Sequence, residues 1–548
     1  MKPGKELIFL PLGGSGEIGM NVNLYGCNGK WIMVDLGMTF ADPNLPGVEL
    51  VLPDLSFIED RQKDLLGIVL THGHEDHIGA IPYLIGEFDV PLYATPFTAG
   101  LIRKKLIEEG IERDVELNVV ELEGEVDLGP FKCRYVPLAH SIPEGNALLI
   151  ETPYGKIFHT GDWKLDEAPV LGVPSTAEEL TALGDEGILA LVGDSTNVFN
   201  PEASGSETGV REGLDKVIAG HKGRVLVTTF ASNAARLHTL GEVAKDTGRK
   251  LCVVGRSLDR ILEVSKSVGY LTDFPPTVSQ EEAMKVPRDK LLIVSTGAQG
   301  EARAGLSRIA EGGHNIKLER GDLVVYSSKQ IPGNEISIGR VQNALAAKGI
   351  EIITDRQAHV HVSGHPGIPE LEAMYGWIRP QISIPVHGER RHMEEHARLA
   401  RRFGVPEAVV PVNGSAIRLA PGKPQIISHE PVGRLVLDGD VILPADGATM
   451  LARRRMMHNG LIAVFVVIDG KNRLLAPPQV QSHGVPVEDD RDEFINDCVS
   501  AASEAAAKAR SNGEDALAEA IRVAVRRTAR DWTGKKPITE VTVTRIKG

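Results

Sequence analysis

The chain has 548 residues, of which 42% are hydrophobic, 24% charged and 5% aromatic, and its formal net charge is -14. That length predicts about three or four domains, because a single hydrophobic core stops growing well below it. The acidic balance argues against a protein that coats nucleic acid through bulk positive charge, although bound cations can reverse the field inside one cleft.

Neither a disulfide framework nor a membrane anchor is indicated. The four cysteines, Cys27, Cys133, Cys252 and Cys498, are far apart and form no CxxC pair. The beginning of the chain lacks the apolar core of a secretory signal, and the most apolar stretch, 461–468, is too short to cross a bilayer. We expect a cytoplasmic protein with no membrane partner.

The first 200 residues alternate short apolar runs with loops and helices. They predict six strands: Leu7–Leu12, Trp31–Val34, Gly67–Leu70, Phe131–Pro137, Lys156–His159 and Ile188–Val192. The Asn28-Gly29 pair predicts a hairpin turn, because both residues tolerate positive φ. This part of the chain therefore combines hairpins with βα units.

A regular alternation of strands and helices follows from about 209 to 348 and predicts a parallel α/β layer. After it, HVHVSGHPG and ISIPVHGE are interpreted as two buried strands that end in histidines. The segment 426–460 is expected to be a linker. From 461 onward the pattern predicts two strands joined through DGKN, two helices and a last strand, with Leu517, Ile521 and Val525 on the buried stripe of the second helix.

One motif near the beginning of the chain suggests a different function. Residues 14–19 read GSGEIG, follow a strand and precede Asp35 by about twenty positions, which is the outline of a dinucleotide-binding fingerprint. That fingerprint needs a helix to open at the glycines. Here the next segment alternates and carries the Asn28-Gly29 turn, so a hairpin is favoured over a nucleotide site.

The strongest chemical signal is the run HGHEDH, from His72 to His77, directly after the apolar run GIVL. Three histidines and two carboxylates within six positions are costly to bury unless they are paired, so packing does not explain them. Imidazole and carboxylate groups hold divalent metal ions while leaving a position open for water. A solvated polar loop is the alternative interpretation, and the HxHxDH spacing at a strand end favours the metal site.

The whole chain resembles the bacterial ribonuclease J family, beta-CASP nucleases of the metallo-β-lactamase superfamily. The resemblance rests on LGGSGEIGMN, VDLG at Asp35, HGHEDH, PLAHSIPE at His140 and HTGDWK at Asp162. Four further motifs separate this family from small-molecule lactamases: GDSTN at Asp194, SSKQIPGNE from Ser327, VSGH at His365 and PVHGE at His387.

The fold implied by this resemblance is α/β: a metallo-β-lactamase αββα sandwich with an inserted beta-CASP parallel α/β domain and a small α/β C-terminal domain. The expected boundaries are 1–207 and 359–425 for the two parts of the metallo-β-lactamase domain and 208–358 for the insertion. The linker 426–460 and the C-terminal domain 461–548 follow. An inserted layer of this size suits a long polymer better than a small substrate.

The resemblance also implies two divalent ions per chain, with zinc favoured and manganese or magnesium as alternatives. The ligands of the first ion would be His72, His74 and His140. Those of the second would be Asp76, His77 and His387. Asp162 would bridge both ions, and Asp35 would orient a ligand from outside the ligand set.

Two ions about 4 Å apart would generate a hydroxide and offset charge on a phosphoryl group. The catalytic residues implied are Asp76, Asp194 and His365. His365 is expected to be the general acid or a phosphate contact, with Asp194 tuning it, whereas a buried structural histidine is the alternative. His359 and His361, which would alternate with His365 on one strand, are assigned no role.

Candidate phosphate contacts are small polar groups and one arginine near loop glycines: Ser232, Asn233, Arg256, Ser257, Ser363, Gly364 and His365. In the family such a pocket binds a 5′-monophosphate end. Serine and asparagine also end strands for ordinary turn reasons, so this alternative stays open.

The function implied is a ribonuclease for RNA maturation and decay, with 5′-to-3′ exonuclease and endonuclease activity on single-stranded RNA. Three alternatives remain at this point: a small-molecule hydrolase of the same fold, a nuclease acting on DNA, and a scaffold in an RNA-degradation complex. A homodimer or homotetramer and partners such as a helicase are expected from the resemblance. The sequence does not identify the metal or the RNA targets.

Overall fold

The computed structural model describes residues 4–42, 44–173, 175–331, 333–509 and 513–546, and the chain divides into two compact units. The first unit comprises Met1–Thr39 and Leu52–Val432. Its first sheet has eight strands in the spatial order Gln425–His429, Ser415–Ala420, Leu7–Gly13, Val22–Cys27, Lys30–Val34, Leu65–Val69, Leu92–Ala94 and Leu117–Val119. The first five strands pair antiparallel and the last three run parallel to their neighbours, so a hairpin region gives way to βα units.

The predicted hairpin is confirmed. Cys27 pairs with Lys30 across a two-residue turn in which Asn28 has φ 50° and Gly29 has φ 81°. Two consecutive positive φ values are what the tight hairpin turn requires. The glycine motif at 14–19 leads into the strand Val22–Cys27 rather than into a helix, so it does not form a dinucleotide fingerprint.

The second sheet has seven strands in the spatial order Glu125–Leu128, Phe131–Pro137, Asn146–Thr152, Gly155–His159, Ile188–Asp194, Ile382–Val386 and Glu407–Ala408. Its inner face packs against the first sheet, and Phe9 and Tyr25 share one core with Ile150 and Val192. Apolar burial between the two sheets is the main stabilising contribution here.

Helices cover the outer faces of both sheets. The helices Ala177–Asp185, Ile368–Ile378 and Arg390–Arg402 pack on the second sheet, and Pro96–Glu108 contacts the edge of the first. Short helices Ser56–Glu59, Glu75–Ile78 and Ile81–Leu84 lie in the connections. A two-stranded parallel pair joins Ser15–Gly16 to Gly388–Glu389. The predicted αββα sandwich is confirmed.

The inserted layer is a parallel sheet of five strands in the spatial order Lys250–Val254, Leu291–Ser295, Val225–Thr228, Leu323–Tyr326 and Glu351–Ile353. Six helices accompany it: Glu207–Ala219, Ala234–Asp246, Arg256–Ser267, Gln280–Ala283, Gly305–Glu311 and Glu335–Ala347. The central strands are buried throughout, as expected when helices cover both faces. The predicted parallel α/β layer is confirmed.

One strand prediction is wrong. ISIPVHGE contains the strand Ile382–Val386, but HVHVSGHPG at 359–367 is irregular chain. The carbonyl oxygen of Val360 accepts hydrogen bonds from the side chains of Arg236 and Ser327 instead of a strand partner. Side-chain donors thus replace a sheet ladder along this segment, and the three histidines 359, 361 and 365 do not alternate on a strand.

The second unit comprises Phe40–Val51 and Gly433–Gly548. One sheet contains Val441–Pro444, Arg434–Asp438 and the parts of the strands Leu50–Pro53 and Thr39–Phe40 that belong to this unit. A second contains Gln479–His483, Leu461–Ile468 and Ile538–Arg545, packed on the helices Arg491–Lys508 and Glu514–Thr533. The two strands, two helices and last strand predicted for the tail are confirmed, including burial of Leu517, Ile521 and Val525.

The segment expected to be a linker, 426–460, has regular structure: most of the strand Gln425–His429, the hairpin of Arg434–Asp438 and Val441–Pro444, and the helix Ala448–Asn459. The description of this segment as a linker is therefore corrected, because its backbone groups are paired in sheets and a helix. Among the described residues, no helix is long and apolar enough to cross a membrane.

Candidate metal centre

The HGHEDH run lies where the strand Leu65–Val69 gives way to the short helix Glu75–Ile78. Backbone hydrogen bonds fix this helix from outside, because Asn21 N donates to Asp76 O at 2.8 Å and Leu36 N donates to His77 O at 2.8 Å. A Cβ added at Gly37 would lie 1.8 Å from Asp76 O, so only glycine permits this approach. Two distant loops thereby position the side chains of the run.

Four side chains form a first group of possible ligands: His72, His74, His140 and Asp162. His74 Nδ1 lies 3.1 Å from His72 Nε2 and 3.0 Å from His140 Nε2. Asp162 Oδ2 is 3.9 Å from the Nε2 atoms of both His72 and His140. The four residues come from three separate loops, so the fold brings together donors that the sequence keeps apart.

A second group consists of Asp76, His77, Asp162 and His387. His77 Nε2 lies 3.2 Å from Asp162 Oδ1 and 3.7 Å from Asp76 Oδ2. His387 Nε2 is 3.5 Å from Asp76 Oδ2, and its Nδ1 is 3.3 Å from Asp162 Oδ1. Asp162 belongs to both groups, with Oδ2 toward the first and Oδ1 toward the second.

Asp35 lies behind the second group and is fully buried. Its Oδ2 accepts a hydrogen bond from His77 Nδ1 at 2.7 Å, and its Oδ1 accepts one from the Thr71 backbone at 2.8 Å. The contact leaves His77 Nε2 to face Asp162. Asp35 therefore stands where the sequence analysis expected a ligand-orienting carboxylate, and that role remains a proposal.

Burial sets the protonation of the first group. It holds the pKa of His72 well below the ordinary value, lowers the pKa of His74 to about 3 and lowers that of His140 to about 4. These imidazoles are neutral at pH 7 and so offer lone pairs. His140 Nδ1 donates to Gly364 O at 2.6 Å, so the lone pair of this neutral imidazole lies on Nε2, the atom that faces His74 and Asp162.

The second group has the opposite electrostatics. Burial opposes protonation of His77, but the carboxylates of Asp162, Asp35 and Asp76 outweigh it and hold the pKa of His77 well above its ordinary value. Burial would raise the pKa of Asp162, yet the neighbouring His387 and His77 hold it well below its usual range. The buried Asp162 and the partly exposed Asp76 face imidazole groups, an arrangement that favours a divalent cation, so the donor set fits metal ions.

His365 and Asp194 form a pair beside the cluster. His365 Nδ1 donates to Asp194 Oδ2 at 2.7 Å and lies 3.9 Å from Asp162 Oδ2. Burial opposes protonation of His365, but the Asp194 carboxylate outweighs it and raises the pKa of His365 to about 9. The same pairing lowers the pKa of Asp194 against the effect of burial. His365 thus holds a proton at neutral pH, next to the possible metal ligands.

The phosphate-contact candidates lie in three chain segments. Ser363 and Gly364 adjoin His365, and Ser363 Oγ accepts a hydrogen bond from His365 N at 3.1 Å. Ser232 and Asn233 precede the helix Ala234–Asp246, while Arg256 and Ser257 begin the helix Arg256–Ser267. Asn233 Oδ1 caps its helix by accepting from Arg236 N at 2.8 Å, so at least this oxygen has a local structural use.

Sequence reasoning missed two residues that organise the site. The buried Asn21 places its Nδ2 2.8 Å from His387 Nδ1 and 3.1 Å from His77 Nε2. Glu370 accepts hydrogen bonds from Leu165 N at 3.0 Å and Ser204 N at 2.9 Å. Asn21 is the last residue of the LGGSGEIGMN motif, which could have indicated it. Glu370 is one glutamate on a helix, and nothing in the sequence distinguishes it from others.

Comparisons with protein families cover most of the chain. Residues 18–193 match the model of the metallo-beta-lactamase superfamily, and 222–345 match the beta-CASP domain of ribonuclease J. Residues 349–411 match a Zn-dependent metallo-hydrolase RNA specificity domain, and 449–546 match the ribonuclease J C-terminal domain. These four models follow one another in chain order.

Curated relatives agree with the family models. The chain is 42% identical to ribonuclease J of Sinorhizobium meliloti over 100% of its own length and 98% of the relative's. The chain belongs to the ribonuclease J family. It is also 37% identical to ribonuclease J of Mycolicibacterium smegmatis, over 96% of this chain and 94% of the relative.

The solved structures show the same fold at lower similarity. A crystal structure of a protein of unknown function from Enterococcus faecalis matches with a TM-score of 0.53 and 18% identity, covering 75% of this chain and all of that one. Membership of the ribonuclease J family makes the protein a metal-dependent nuclease that acts by hydrolysis, and its RNA-specificity domain supports RNA as the substrate. The two buried donor groups are the candidate divalent-metal site of this enzyme.

Proposed function

We propose that this ribonuclease J family member hydrolyses phosphodiester bonds of single-stranded RNA with two divalent ions. It would act as a 5′-to-3′ exonuclease that prefers 5′-monophosphate ends and would also cut internally, in RNA maturation and decay. The observation that carries the proposal is the position of Asp162, one carboxylate that belongs to both donor groups. A shared carboxylate is the arrangement that would hold two ions as neighbours.

The ions, when bound, would activate a water molecule and offset charge on the phosphoryl oxygens. Zinc is the proposed metal, because imidazole and carboxylate ligands suit it, and manganese or magnesium are the alternatives to be tested. The ligands proposed are His72, His74 and His140 for one ion and Asp76, His77 and His387 for the other. Asp162 would bridge them.

The residues around the cluster would orient the donors and move the proton. Asp35 holds His77 by Nδ1, and the Gly364 carbonyl holds His140 by Nδ1, so both rings keep Nε2 for ligation. His365 donates Nδ1–H to Asp194, which leaves the Nε2 proton available for a leaving 3′-oxygen. Asp194 thereby keeps the acid charged at neutral pH.

The test is hydrolysis of one RNA sequence prepared with a 5′-monophosphate or a 5′-triphosphate, with zinc, manganese or magnesium added to metal-free protein. We expect mononucleotides to accumulate fastest from the monophosphorylated strand, together with some internal fragments. A matched DNA strand is the control, because only RNA presents the 2′-hydroxyl. Absence of cleavage in every metal would remove the proposal.

Two alternatives from the sequence analysis have weaker support. The match to an RNA-specificity domain favours RNA over a small-molecule substrate, and the complete donor set favours an enzyme over a scaffold alone. By the same resemblance we propose a homodimer or homotetramer that works with RNA-degradation partners such as a helicase. Light scattering coupled to size-exclusion chromatography measures the assembly directly.

A further inference from the structure

Arg236 in the motif FASNAAR is one of the largest fully buried side chains among the described residues. Its Nε and Nη2 donate to the two carboxylate oxygens of Glu207 at 3.1 and 3.0 Å. Its Nη1 donates to Ser327 O at 2.8 Å, to Ser327 Oγ, and to Val360 O at 3.1 Å. A buried guanidinium with this many partners fixes the relative positions of the three chain segments that supply them.

Val360 is the second residue of the irregular segment 359–367 that replaces the expected strand. Its carbonyl oxygen receives a second hydrogen bond, from Ser327 Oγ at 2.6 Å. Both donors belong to the inserted layer, since Arg236 lies on the helix Ala234–Asp246 and Ser327 follows the strand Leu323–Tyr326. The inserted layer therefore holds one end of the segment 360–365.

The other end of this segment lies in the metal centre. Gly364 O accepts from His140 Nδ1 at 2.6 Å, and His365 Nδ1 donates to Asp194 at 2.7 Å. A Cβ at Gly364 would lie 2.9 Å from His140 Cε1, so the backbone packs directly on the imidazole. Only three residues separate Val360 from Gly364, a span of roughly 13 Å even when extended.

We propose that Arg236 is a positioning residue for hydrolysis: by fixing Val360 it sets the segment 360–365, and through it the orientation of His140 and His365. This rests on the proposed function of the centre. The described hydrogen bonds of the Arg236 side chain reach Glu207, Ser327 and Val360 and neither donor group, so it would act through the backbone of the segment. The core of the inserted layer thus holds the segment that contacts His140 and carries His365.

Arg249 provides a matched control. It is also buried in the inserted layer and donates to four backbone carbonyls, which belong to Gly223, Leu291, Ile218 and His221. None of these groups contacts the segment 360–365 in the described contacts. Arg249→Met removes a comparable number of hydrogen bonds without disturbing the metal centre.

The experiment compares the full chain carrying Arg236→Met, Arg249→Met or the double substitution Arg236→Met/Glu207→Gln. The double variant avoids an unpaired buried carboxylate, which would otherwise destabilise the layer. For each protein, kcat and KM are measured on a 5′-monophosphorylated RNA, metal affinity by competition with a chromophoric chelator, and the melting temperature by calorimetry.

We expect both Arg236 variants to lose about 10- to 100-fold in kcat or metal affinity, as when a residue that orients a ligand is removed, with KM changed less than about threefold. Arg249→Met should lower the melting temperature and leave kcat and metal affinity at the wild-type values. The proposal is overturned if the double variant keeps wild-type kcat and metal affinity, or if Arg249→Met reduces them equally. Absence of hydrolysis by the wild-type protein would instead refute the proposed function, and the metal-affinity comparison would still test Arg236.

Discussion

The metal centre and the helix N-termini of the inserted layer differ in how far their polar side chains are buried. Both lie after the ends of parallel strands, where loops collect functional groups. At the centre His72 and Asp162 are 0% and 2% exposed and bond to other buried polar groups, whereas Arg256 and Ser257 lie exposed on the first turn of their helix. The difference indicates that the side chains of the centre are held in place by their neighbours, whereas Arg256 and Ser257, the proposed phosphate contacts, are free to adjust to a ligand.

The largest effect should follow from breaking the preorganised centre. We expect His77→Ala to abolish RNA hydrolysis, because the second donor group loses an imidazole and Asp35 loses its partner. RNA binding should survive, since the phosphate contacts proposed for the inserted layer lie outside both donor groups. Cleavage and filter-binding assays on the same preparation, with metal content measured by mass spectrometry, would check the loss of hydrolysis and the survival of RNA binding.

His392→Ala is a suitable control for that substitution, because this histidine lies near the centre but outside both donor groups. It should retain turnover and metal. Turnover by His77→Ala at the wild-type rate would show that the proposed ligand set is wrong.

A smaller loss of activity is expected from a substitution that affects proton transfer but not metal binding. Asp194→Ala removes the carboxylate that raises the pKa of His365, so we expect kcat to fall about 100-fold or more while bound metal changes little. The remaining activity should decline with rising pH at a lower pH than in the wild type, because the acid form of His365 is then lost earlier. A pH profile of kcat, run beside metal analysis, measures both effects.

Loss of metal in Asp194→Ala in proportion to the loss of kcat would contradict this separation. His365→Gln is the matched variant. If the two residues act as one unit, the double substitution should be no slower than either single one.

The buried His396, which is bonded to the residue after Asp194, should also make the free energy of unfolding depend on pH. His396 forms hydrogen bonds through Nδ1 with Ser195 Oγ at 2.9 Å and through Nε2 with Tyr375 Oη at 2.8 Å. Burial lowers the pKa of His396 to about 4. As the pH falls from 6.5 toward 4, His396 becomes protonated in the unfolded chain but stays neutral in the folded chain. The free energy of unfolding should therefore fall by about 3 kcal/mol across this window from His396 alone, with no further loss below it.

Urea unfolding between pH 7 and 4, with chelator present so that metal release does not contribute, measures this dependence. The His396→Gln variant should have a lower free energy of unfolding at pH 7, and that free energy should change less with pH than in the wild type. Equal slopes in the two proteins would show that His396 is not the group responsible.

The smallest effect should come from the exposed helix N-termini. Arg256→Ala is expected to raise KM for RNA about two- to fivefold with kcat unchanged, and to reduce the slope of binding against salt by about one. Arg260→Ala, on the same helix but bonded to Glu108 at 2.7 Å, is the control and should leave KM unchanged. A loss of kcat at Arg256 would remove the contrast between the two regions.

Local sequence patterns predicted the fold where a pattern acts on neighbouring residues. The strand Phe131–Pro137, the Asn28-Gly29 turn and the buried stripe of the helix Glu514–Thr533 all follow from periodicity or turn chemistry. The prediction was wrong at 359–367, because an alternating apolar pattern does not reveal that side-chain donors from other segments satisfy the backbone.

The candidate site shows the same limit. His72 to His77 are adjacent in sequence and could be identified from the residues, whereas His140, Asp162 and His387 needed the resemblance to be joined to them. Asn21, Glu370 and Arg236 act through hydrogen bonds between segments that are distant in the chain. Sequence spacing carries no information about such contacts, so only the folded structure could reveal them.

The order of the donor groups along the chain has a consequence for biosynthesis. Both groups contain Asp162, but the second is completed by His387, which follows the whole inserted layer. A nascent chain that has presented only HGHEDH and Asp162 lacks His387, the proposed acid His365 and the segment proposed to orient His140. The full donor set is therefore present only after residue 387 of the 548 has been translated, and a shorter nascent chain carries an incomplete centre.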